Sequence, residues 1–188
     1  IIVVGAGPAG LMAAGRAASL GATVALLEKN SRPGRKLLIT GKGRCNFTND
    51  TDVDGLIAGI PGNGKFLYSA FSRFNSYDIR EFFRELGVES KTERGKRVFP
   101  ASGISKDVLR ALVMYITRSG ARLQLNSRVH KVVVSDKRVQ GVVFATGNGE
   151  NEFMQCDAVV IATGGITYAA TGSTGDGFRI AKGLGHTI

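Results

Sequence analysis

The sequence of 188 residues predicts an α/β fold in which a parallel central sheet is combined with an antiparallel β-meander. Residues 1–28 contain a short apolar strand, a glycine-rich turn, a helix of small residues and a second apolar strand, which is the pattern of a βαβ unit. Residues 121–156 contain short runs in which apolar and polar side chains alternate, and these indicate antiparallel strands. The apolar run at 157–162 then indicates one more strand of the parallel sheet.

The glycines of the first turn have the spacing of a dinucleotide-binding fingerprint, which predicts a Rossmann-like domain. Gly5 permits the tight turn that leaves the first strand. Gly7 leaves space for a diphosphate to approach the backbone, and Gly10 lets the following helix lie close to the sheet.

The residues around this turn support the same site. Pro8 and Ala9 begin the helix, whose free N–H groups and positive dipole end favour a bound anion. Glu28 lies 18 residues after Gly10, at the end of the strand 23–27, and its carboxylate can accept hydrogen bonds from a ribose diol. These residues predict a site for the ADP part of a dinucleotide, and by themselves they do not separate NAD from FAD.

A run of basic residues follows Glu28, and the whole chain carries a net charge of +10. Such a run can be a solvated loop, a nucleic-acid-binding surface or a frame for cofactor phosphates. The position beside Glu28 favours the phosphates, and nucleic acid is disfavoured because Phe47 is the one aromatic residue that accompanies the cations. The basic residues are Lys29, Arg32, Arg35, Lys36, Lys42 and Arg44.

The middle of the chain predicts a long loop followed by helices and a hairpin. The loop, at 30–51, is rich in Gly, Asn and basic residues, and a loop of this length in a compact domain is usually functional. The elements predicted after it are a helix at 64–74, a helix at 76–86 with Ser76 as its N-cap, a hairpin at 88–99 and an amphipathic helix from Ser105 to Gly120.

The last third of the chain contains the meander and a second glycine turn. The buried strand at 157–162 ends in Thr163, Gly164 and Gly165, which bring bare backbone to the carboxyl edge of the sheet, where ligands of open α/β folds bind. A meander between two glycine turns is typical of an FAD domain, whereas an NAD domain usually continues with βαβ units. The meander strands are predicted at Ala121–Leu125, Arg128–Val134, Val139–Ala145 and Glu152–Cys156.

Composition excludes several other classes. Residues 1–27 carry one charge, Arg16, but their five glycines and one proline argue against a membrane span. Cys45 and Cys156 lie far apart, and with two histidines in the chain a metal site is not expected. No basic leader precedes the first apolar run, and the cysteine usage suits a reducing cytoplasm.

The chain begins inside a strand, so we expect it to be a truncated piece, with residues 1–188 forming an incomplete FAD-binding domain.

Three segments give the chain a resemblance to a known family, the BaiN-like flavoproteins, which include aminoacetone-oxidase-type FAD enzymes. They are Gly5–Gly10 with Glu28 and Lys29, the loop Gly34–Asn49, and Ala162–Gly165 running into Thr171–Gly177 and Leu184–His186. Arg97-Val98-Phe99-Pro100 fits the family too. One departure is visible, because Thr167-Tyr168-Ala169 stands where the family usually has Ser-Tyr-Pro.

The resemblance implies an FAD-dependent oxidoreductase with an unidentified small-molecule substrate, in which NAD(P)H is a candidate electron donor. It implies that Arg35 and Lys36 lie near the FAD diphosphate and that the backbone of Val129 meets the adenine. Close passage of the cofactor is implied at Ala162, Thr163, Gly164 and Gly165. The isoalloxazine side is implied to be lined by Thr40, Gly43, Arg44, Cys45 and Asn46.

Some assignments stay open at this stage. No catalytic acid or base is assigned, and His186 has no assigned role. Cys45 is interpreted as a packing residue, and Asp176 as an acidic residue that favours a helix start. Two other functions compete with the flavoenzyme: an NAD-linked dehydrogenase without flavin, and an RNA-modifying flavoprotein suggested by the basic charge.

Overall fold

Four short parallel strands form the sheet that carries both glycine turns. In the computed structural model, which describes residues 1–188, their order is β10-β1-β2-β6. Val4 pairs in register with Leu27 on one side and Ile161 on the other, so the carboxyl ends of β1, β2 and β10 meet at one edge. The strands are β1 (Ile2–Val4), β2 (Ala25–Leu27), β6 (Arg122–Gln124) and β10 (Val159–Ile161).

The chain divides into two compact units, the first made of residues 1–36 and 112–188 and the second of residues 37–111. The parallel sheet belongs to the first unit. The assignment of residues 1–188 to one incomplete FAD-binding domain stays a prediction. No helix is both long and apolar enough to cross a membrane.

Helix α1 (Pro8–Ser19) packs against the sheet with a face of small side chains. Leu11 and Ala14 are fully buried on this face. A Cβ atom added at Gly10 would lie 1.8 Å from the carbonyl oxygen of Gly5, so only glycine permits this approach of helix and turn. The predicted reason for glycine at this position is confirmed.

An antiparallel sheet of three strands completes the first unit. Its strands are β7 (Arg128–Ser135), β8 (Arg138–Ala145) and β9 (Asn151–Gln155). Asp136 and Lys137 link β7 to β8 with φ of 51° and 60°, the left-handed pair that a tight hairpin turn requires. Apolar side chains of this sheet, among them those of Val142 and Phe144, share one core with those of β1 and β2. The predicted α/β fold with a meander is therefore confirmed.

The prediction that Ala121–Leu125 forms a strand of the meander is wrong, because this strand belongs to the parallel sheet. Arg122–Gln124 pairs in parallel with β2, with Ala25 opposite Arg122. The helix α6 (Ser105–Arg118) precedes this strand, and a strand that follows a helical connection can join the sheet in parallel, which a tight hairpin cannot achieve. Period-two alternation alone could not distinguish these two pairings.

The prediction of full burial for the last strand was also wrong. β10 pairs in parallel with β1 as expected, but the side chains of Val160 and Ile161 are each 39% exposed. β10 has a neighbouring strand on one side only, so its apolar side chains have fewer packing partners than those of β1.

The second unit contains a small antiparallel sheet in the order β3-β5-β4 together with short helices. The predicted hairpin is confirmed, since Glu93 pairs with Arg97 across its turn. Phe83 and Phe99 are buried in this unit. Its elements are β3 (Thr48–Asn49), α3 (Val53–Ala58), α4 (Tyr68–Arg73), α5 (Ser76–Glu85), β4 (Ser90–Glu93) and β5 (Arg97–Pro100), and α6 begins here.

Several local predictions in this unit need correction. The segment predicted as a long loop contains a 3-10 turn at Leu37–Ile39, a tight turn, α2 (Thr40–Gly43), in which Gly41 and Lys42 have left-handed φ, and β3. The helix predicted at 64–74 is a 3-10 turn followed by α4, and α3 was not predicted. Asn75, not Ser76, caps α5, because its side chain accepts from the N–H groups of Tyr77 and Asp78 while Asp78 accepts from the N–H of Asn75.

Candidate functional site

A cavity of about 650 Å³ lies at the carboxyl edge of the parallel sheet and is lined by residues of the first unit alone. This volume falls in the range of small-molecule and cofactor sites. The predicted cofactor-binding residues that line it are Gly5, Gly7, Pro8, Ala9, Glu28, Lys29, Arg35, Lys36, Val129, Ala162, Thr163 and Gly164.

The glycine turn presents the start of α1 to this cavity. Gly5 has φ of 98°, and its N–H donates to the carbonyl of Leu27 at 2.8 Å, which closes the turn after β1. Gly7 caps α1 without any side-chain acceptor, and the first helical turn has no acidic residue. The helix start therefore offers N–H donors and the positive end of its dipole to an anion in the cavity.

Gly7 also leaves open space. A Cβ atom added at this position would meet no protein atom within 4 Å, whereas the same atom at Gly10 would collide with backbone. Gly10 does not line the cavity, so the two glycines have different roles. Gly7 keeps room for a ligand, and Gly10 allows the helix to pack.

Glu28 holds the end of β2 against the glycine turn. Its side chain is buried, and its Oε2 atom accepts a hydrogen bond from the N–H of Ala6 at 2.7 Å. Its Oε1 atom accepts from the N–H of Asn30 at 2.9 Å and from Nδ2 of Asn30 at 2.5 Å. A carboxylate has about four acceptor positions, so roughly one remains for a ligand hydroxyl in this arrangement.

The wall of the cavity is strongly basic. Five cationic side chains line it, against the carboxylates of Glu28 and Asp176. Arg35 donates to Oδ1 of Asn30 at 2.9 Å, and Lys36 donates to Oγ1 of Thr167 at 2.9 Å with its ammonium 5.6 Å from the ring centre of Tyr168. This excess of positive charge suits a ligand with phosphate groups. The cations are Lys29, Arg32, Arg35, Lys36 and Arg128.

Asp176 joins three of the segments that meet in this unit. It begins α7 (Asp176–Gly183), and its carboxylate accepts from Lys29 at 2.5 Å, from Arg128 at 3.0 Å and also from Arg179. Burial by itself raises the pKa of this carboxyl group, but the hydrogen bonds from Lys29 and Arg128 outweigh burial and lower the pKa to about 2. Asp176 is therefore ionised at neutral pH.

The second glycine turn is tied to the same helix. Gly177 donates its N–H to Oγ1 of Thr163 at 3.0 Å, and the carbonyl of Gly165 accepts from the N–H of Gly175 at 3.2 Å. Thr163 and Gly164 line the cavity, whereas Gly165 does not. The turn after β10 thus contributes to the cavity mainly through its first residues.

The remaining predicted residues, Thr40, Gly43, Arg44, Cys45 and Asn46, lie in the second unit. The backbone there is unusual, with left-handed φ at four of the five residues from 41 to 45, including the non-glycine residues Lys42 and Cys45. Such backbone conformations are rare for residues other than glycine, and they concentrate at functional sites.

The side chains of this segment are fixed within the second unit. Arg44 donates to both carboxylate oxygens of Glu93, at 2.9 and 3.0 Å, and its guanidinium lies 4.2 Å from the ring centre of Phe99. Asn46 donates its amide hydrogens to the carbonyls of Thr48 and Val98, so its side-chain oxygen is the group that remains for a ligand.

Cys45 is 3% exposed. Burial raises the pKa of its thiol, and the hydrogen bond with Thr40 offsets this only in part. A buried, protonated thiol agrees with its interpretation as a packing residue.

Three further residues, Asn30, Arg128 and Asp176, belong to this site although the sequence did not indicate them. All three line the cavity, and each makes a hydrogen bond or ion pair to another residue that lines it. Asp176 stands inside a segment that carried the family resemblance, which is a signal that could have drawn attention to it. Its pairing with Lys29 spans 147 positions, which no local pattern can indicate.

The parallel sheet, its glycine turn and the cavity at its carboxyl edge define a protein of the Rossmann class. The chain belongs to the HI0933-like protein Rossmann domain family, whose model matches residues 1–188. This match confirms the family resemblance that the three sequence segments indicate.

The chain is similar to two curated relatives over nearly its whole length. It is 31% identical to the 3-dehydro-bile acid delta(4,6)-reductase of Clostridium scindens, over 99% of this chain and 44% of that protein. It is 30% identical to the ribosomal RNA dihydrouridine synthase of Haemophilus influenzae, over 98% of this chain and 45% of that protein. The chain therefore spans less than half the length of the curated relatives it matches.

Among solved structures, the open conformation of a flavocytochrome c3 fumarate reductase is similar to this chain with a TM-score of 0.75 and 26% identity. The match covers 97% of this chain and 40% of that one. A 3-ketosteroid-delta4-(5alpha)-dehydrogenase from Rhodococcus jostii shares the fold, with a TM-score of 0.69 and 20% identity over 89% of this chain and 46% of that one.

Proposed function

We propose that the chain is the FAD-binding part of an FAD-dependent oxidoreductase. The observation that carries this proposal is the cavity, in which an uncapped helix start, the open space at Gly7 and a basic wall lie at one edge of the sheet. The flavocytochrome relative and the family resemblance support a flavin over a bare nicotinamide cofactor.

The residues present fit the ADP part of FAD. The diphosphate is assigned to Gly7 and the first turn of α1, where N–H donors and the helix dipole favour it, and Arg35 and Lys36 supply positive charge. The ribose is assigned to Glu28. The adenine is assigned to the backbone of Val129, which lies directly before a β-bulge between β7 and β8, and bulges often occur beside binding sites.

We assign the flavin end to the segment 40–46 of the second unit. Left-handed backbone is concentrated there, at Gly41, Lys42, Gly43 and Cys45, and Arg44 is held in place by Glu93. FAD, when bound, supplies two-electron redox chemistry, and the chain supplies binding and orientation. NAD(P)H is the proposed electron donor.

The activities for which the relatives are named suggest one class of reaction. Dihydrouridine differs from uridine by saturation of a carbon–carbon double bond conjugated to a carbonyl, and fumarate carries such a bond between two carboxyl groups. The bile acid reductase is named for the delta(4,6) positions. We therefore propose that the whole protein reduces a carbon–carbon double bond activated by a neighbouring carbonyl.

Titration of the cofactor-free full-length protein with FAD, and separately with NAD, tests the cofactor. We expect FAD to bind with quenching or enhancement of flavin fluorescence and to be retained on gel filtration. Binding of NAD alone would support a dehydrogenase without flavin and contradict the proposal.

RNA is the second candidate substrate, because one relative with 30% identity is a ribosomal RNA dihydrouridine synthase and the chain carries a net charge of +10. The substrate test offers the reduced holoenzyme a conjugated steroid ketone and, in parallel, ribosomal RNA. Reoxidation of the flavin by the ketone identifies a small-molecule reductase. Appearance of dihydrouridine, with RNA binding that weakens steeply as salt rises, identifies the RNA enzyme.

A further inference from the structure

The carboxylate of Asp176 connects the two segments that flank the proposed adenosine position. Lys29, the residue after Glu28, reaches Oδ2 of Asp176 at 2.5 Å and Oγ1 of Thr174 at 2.6 Å. Arg128, the residue before Val129, reaches Oδ1 of Asp176 at 3.0 Å. One buried carboxylate thus holds the segment of the proposed ribose contact and that of the proposed adenine contact.

A helix start does not explain this arrangement. An acidic residue that only stabilises a helix N-terminus needs to face the first N–H groups, whereas the side chain of Asp176 is 8% exposed and pairs with three cations. Lys29, Arg128 and Asp176 all line the cavity. A buried carboxylate is costly unless it is paired and hydrogen-bonded, and here both conditions hold.

Because Asp176 is negatively charged, the effect of removing its charge on cofactor binding distinguishes two possible roles of this residue. A diphosphate ligand is anionic, so a carboxylate in the wall of its cavity opposes binding by simple Coulomb repulsion. Removing that charge should then tighten binding, unless the carboxylate contributes more by holding the cations in place.

We propose that Asp176 is a positioning residue of the cofactor site, which fixes Lys29 beside Glu28 and Arg128 beside Val129 so that the cavity is already shaped for the adenosine end of its ligand. This inference rests on the proposed FAD function and extends it to a residue that acts through Lys29 and Arg128. Preorganisation of this kind lowers the cost of ordering side chains when the ligand binds.

The test compares Asp176→Asn with Asp136→Asn in the cofactor-free full-length protein. Asp136 lies exposed in the β7–β8 turn, so its variant makes the same change in net charge away from the cavity. Association and dissociation of FAD are followed by stopped-flow flavin fluorescence. We expect Asp176→Asn to raise the dissociation rate by about tenfold without lowering the association rate, since variants of one binding site differ mainly in dissociation rate.

A second measurement separates positioning from a merely structural role. In a Lys29→Gln, Arg128→Gln background there are no cavity cations for Asp176 to hold, so adding Asp176→Asn should no longer raise the dissociation rate, and the loss of its repulsion of the diphosphate should lower that rate if it changes it at all. A persistent tenfold effect there would assign Asp176 to helix stability and overturn the proposal.

Binding by Asp176→Asn that equals or exceeds that of Asp136→Asn also overturns it. Where Asp176→Asn does not fold, Asp176→Glu decides instead, because it keeps the charge and displaces the carboxylate: faster dissociation of FAD supports positioning, and the wild-type rate contradicts it. Failure of the wild-type protein to bind FAD would refute the proposed function itself, which is a separate outcome.

Discussion

The backbone N–H of Ala6 donates a hydrogen bond of 2.7 Å to the buried carboxylate of Glu28. This bond links the glycine turn after β1 to the end of β2, so the acidic residue of the fingerprint also stabilises the turn before any ligand arrives. The other carboxylate oxygen of Glu28, Oε1, accepts hydrogen bonds from the backbone N–H and the side-chain amide of Asn30. A ribose diol that uses Glu28 twice must therefore displace one of the three hydrogen bonds that this carboxylate already accepts.

Replacement of Glu28 by Gln should weaken FAD binding by about 1.5–3 kcal/mol, the range for hydrogen bonds to a charged group. The NH2 group of the glutamine side chain would also face an N–H donor of Asn30 or Ala6, where the carboxylate of Glu28 accepts a hydrogen bond. Equilibrium titration of the cofactor-free protein measures the loss, with Glu150→Gln in an exposed hairpin as the charge-matched control. Equal affinity of the two variants would contradict the assignment of Glu28 to the cofactor.

Gly7→Ala should leave the fold intact and impair cofactor binding. The added methyl group meets no protein atom within 4 Å, and the φ of −74° at Gly7 suits alanine. The same methyl group enters the space assigned to the diphosphate. We expect an unchanged midpoint of urea unfolding and at least tenfold weaker FAD binding, or about 1.4 kcal/mol. Gly183→Ala, also free of close contacts, provides the control; normal FAD affinity in Gly7→Ala would exclude this position for the diphosphate.

Gly10→Ala should show the opposite behaviour. Its Cβ atom would lie 1.8 Å from the carbonyl oxygen of Gly5, and backbone must move to relieve the contact. Overpacking of this kind costs about 1–3 kcal/mol, which urea unfolding of the cofactor-free protein detects. A stability equal to that of Gly7→Ala would show that the turn and helix are not packed as described.

Acid should remove a defined part of the stability. The pKa of Asp176 is lowered from 3.8 to about 2, so its ion pairs stabilise the fold fully above about pH 4, and this contribution is lost as the pH falls towards 2. Urea unfolding from pH 6 to pH 2.5 measures this dependence. Asp176→Asn should have a flatter profile below pH 4 than Asp136→Asn. Parallel profiles would indicate that Asp176 is not paired in the folded protein.

The first 28 residues allowed the sheet edge and its glycine turn to be predicted, because each requirement there is local: apolar strands, glycines at fixed spacing and a terminal acidic residue. The sheet that Arg122–Gln124 joins could not be predicted in this way, since pairing with β2 is decided by contacts distant in sequence. The same limit applies to Asp176, whose local position indicates a helix start and whose partners Lys29 and Arg128 come from other elements.

The Glu28 side chain marks a further limit. Its position at the end of β2 was predictable from spacing, but its hydrogen bonds to Ala6 and Asn30 depend on how the turn closes in three dimensions. The roles of Arg44 and Asn46 are similar, because the sequence could place them in a functional loop but could not show that Glu93 and the carbonyl of Val98 hold them.

The most direct test of FAD binding is to identify and quantify the chromophore that copurifies with the full-length protein. We expect a yellow protein whose visible absorption is lost on reduction, and from which denaturation releases close to one FAD per chain, identified by mass spectrometry. A colourless, folded protein that takes up no FAD when the cofactor is added would contradict it.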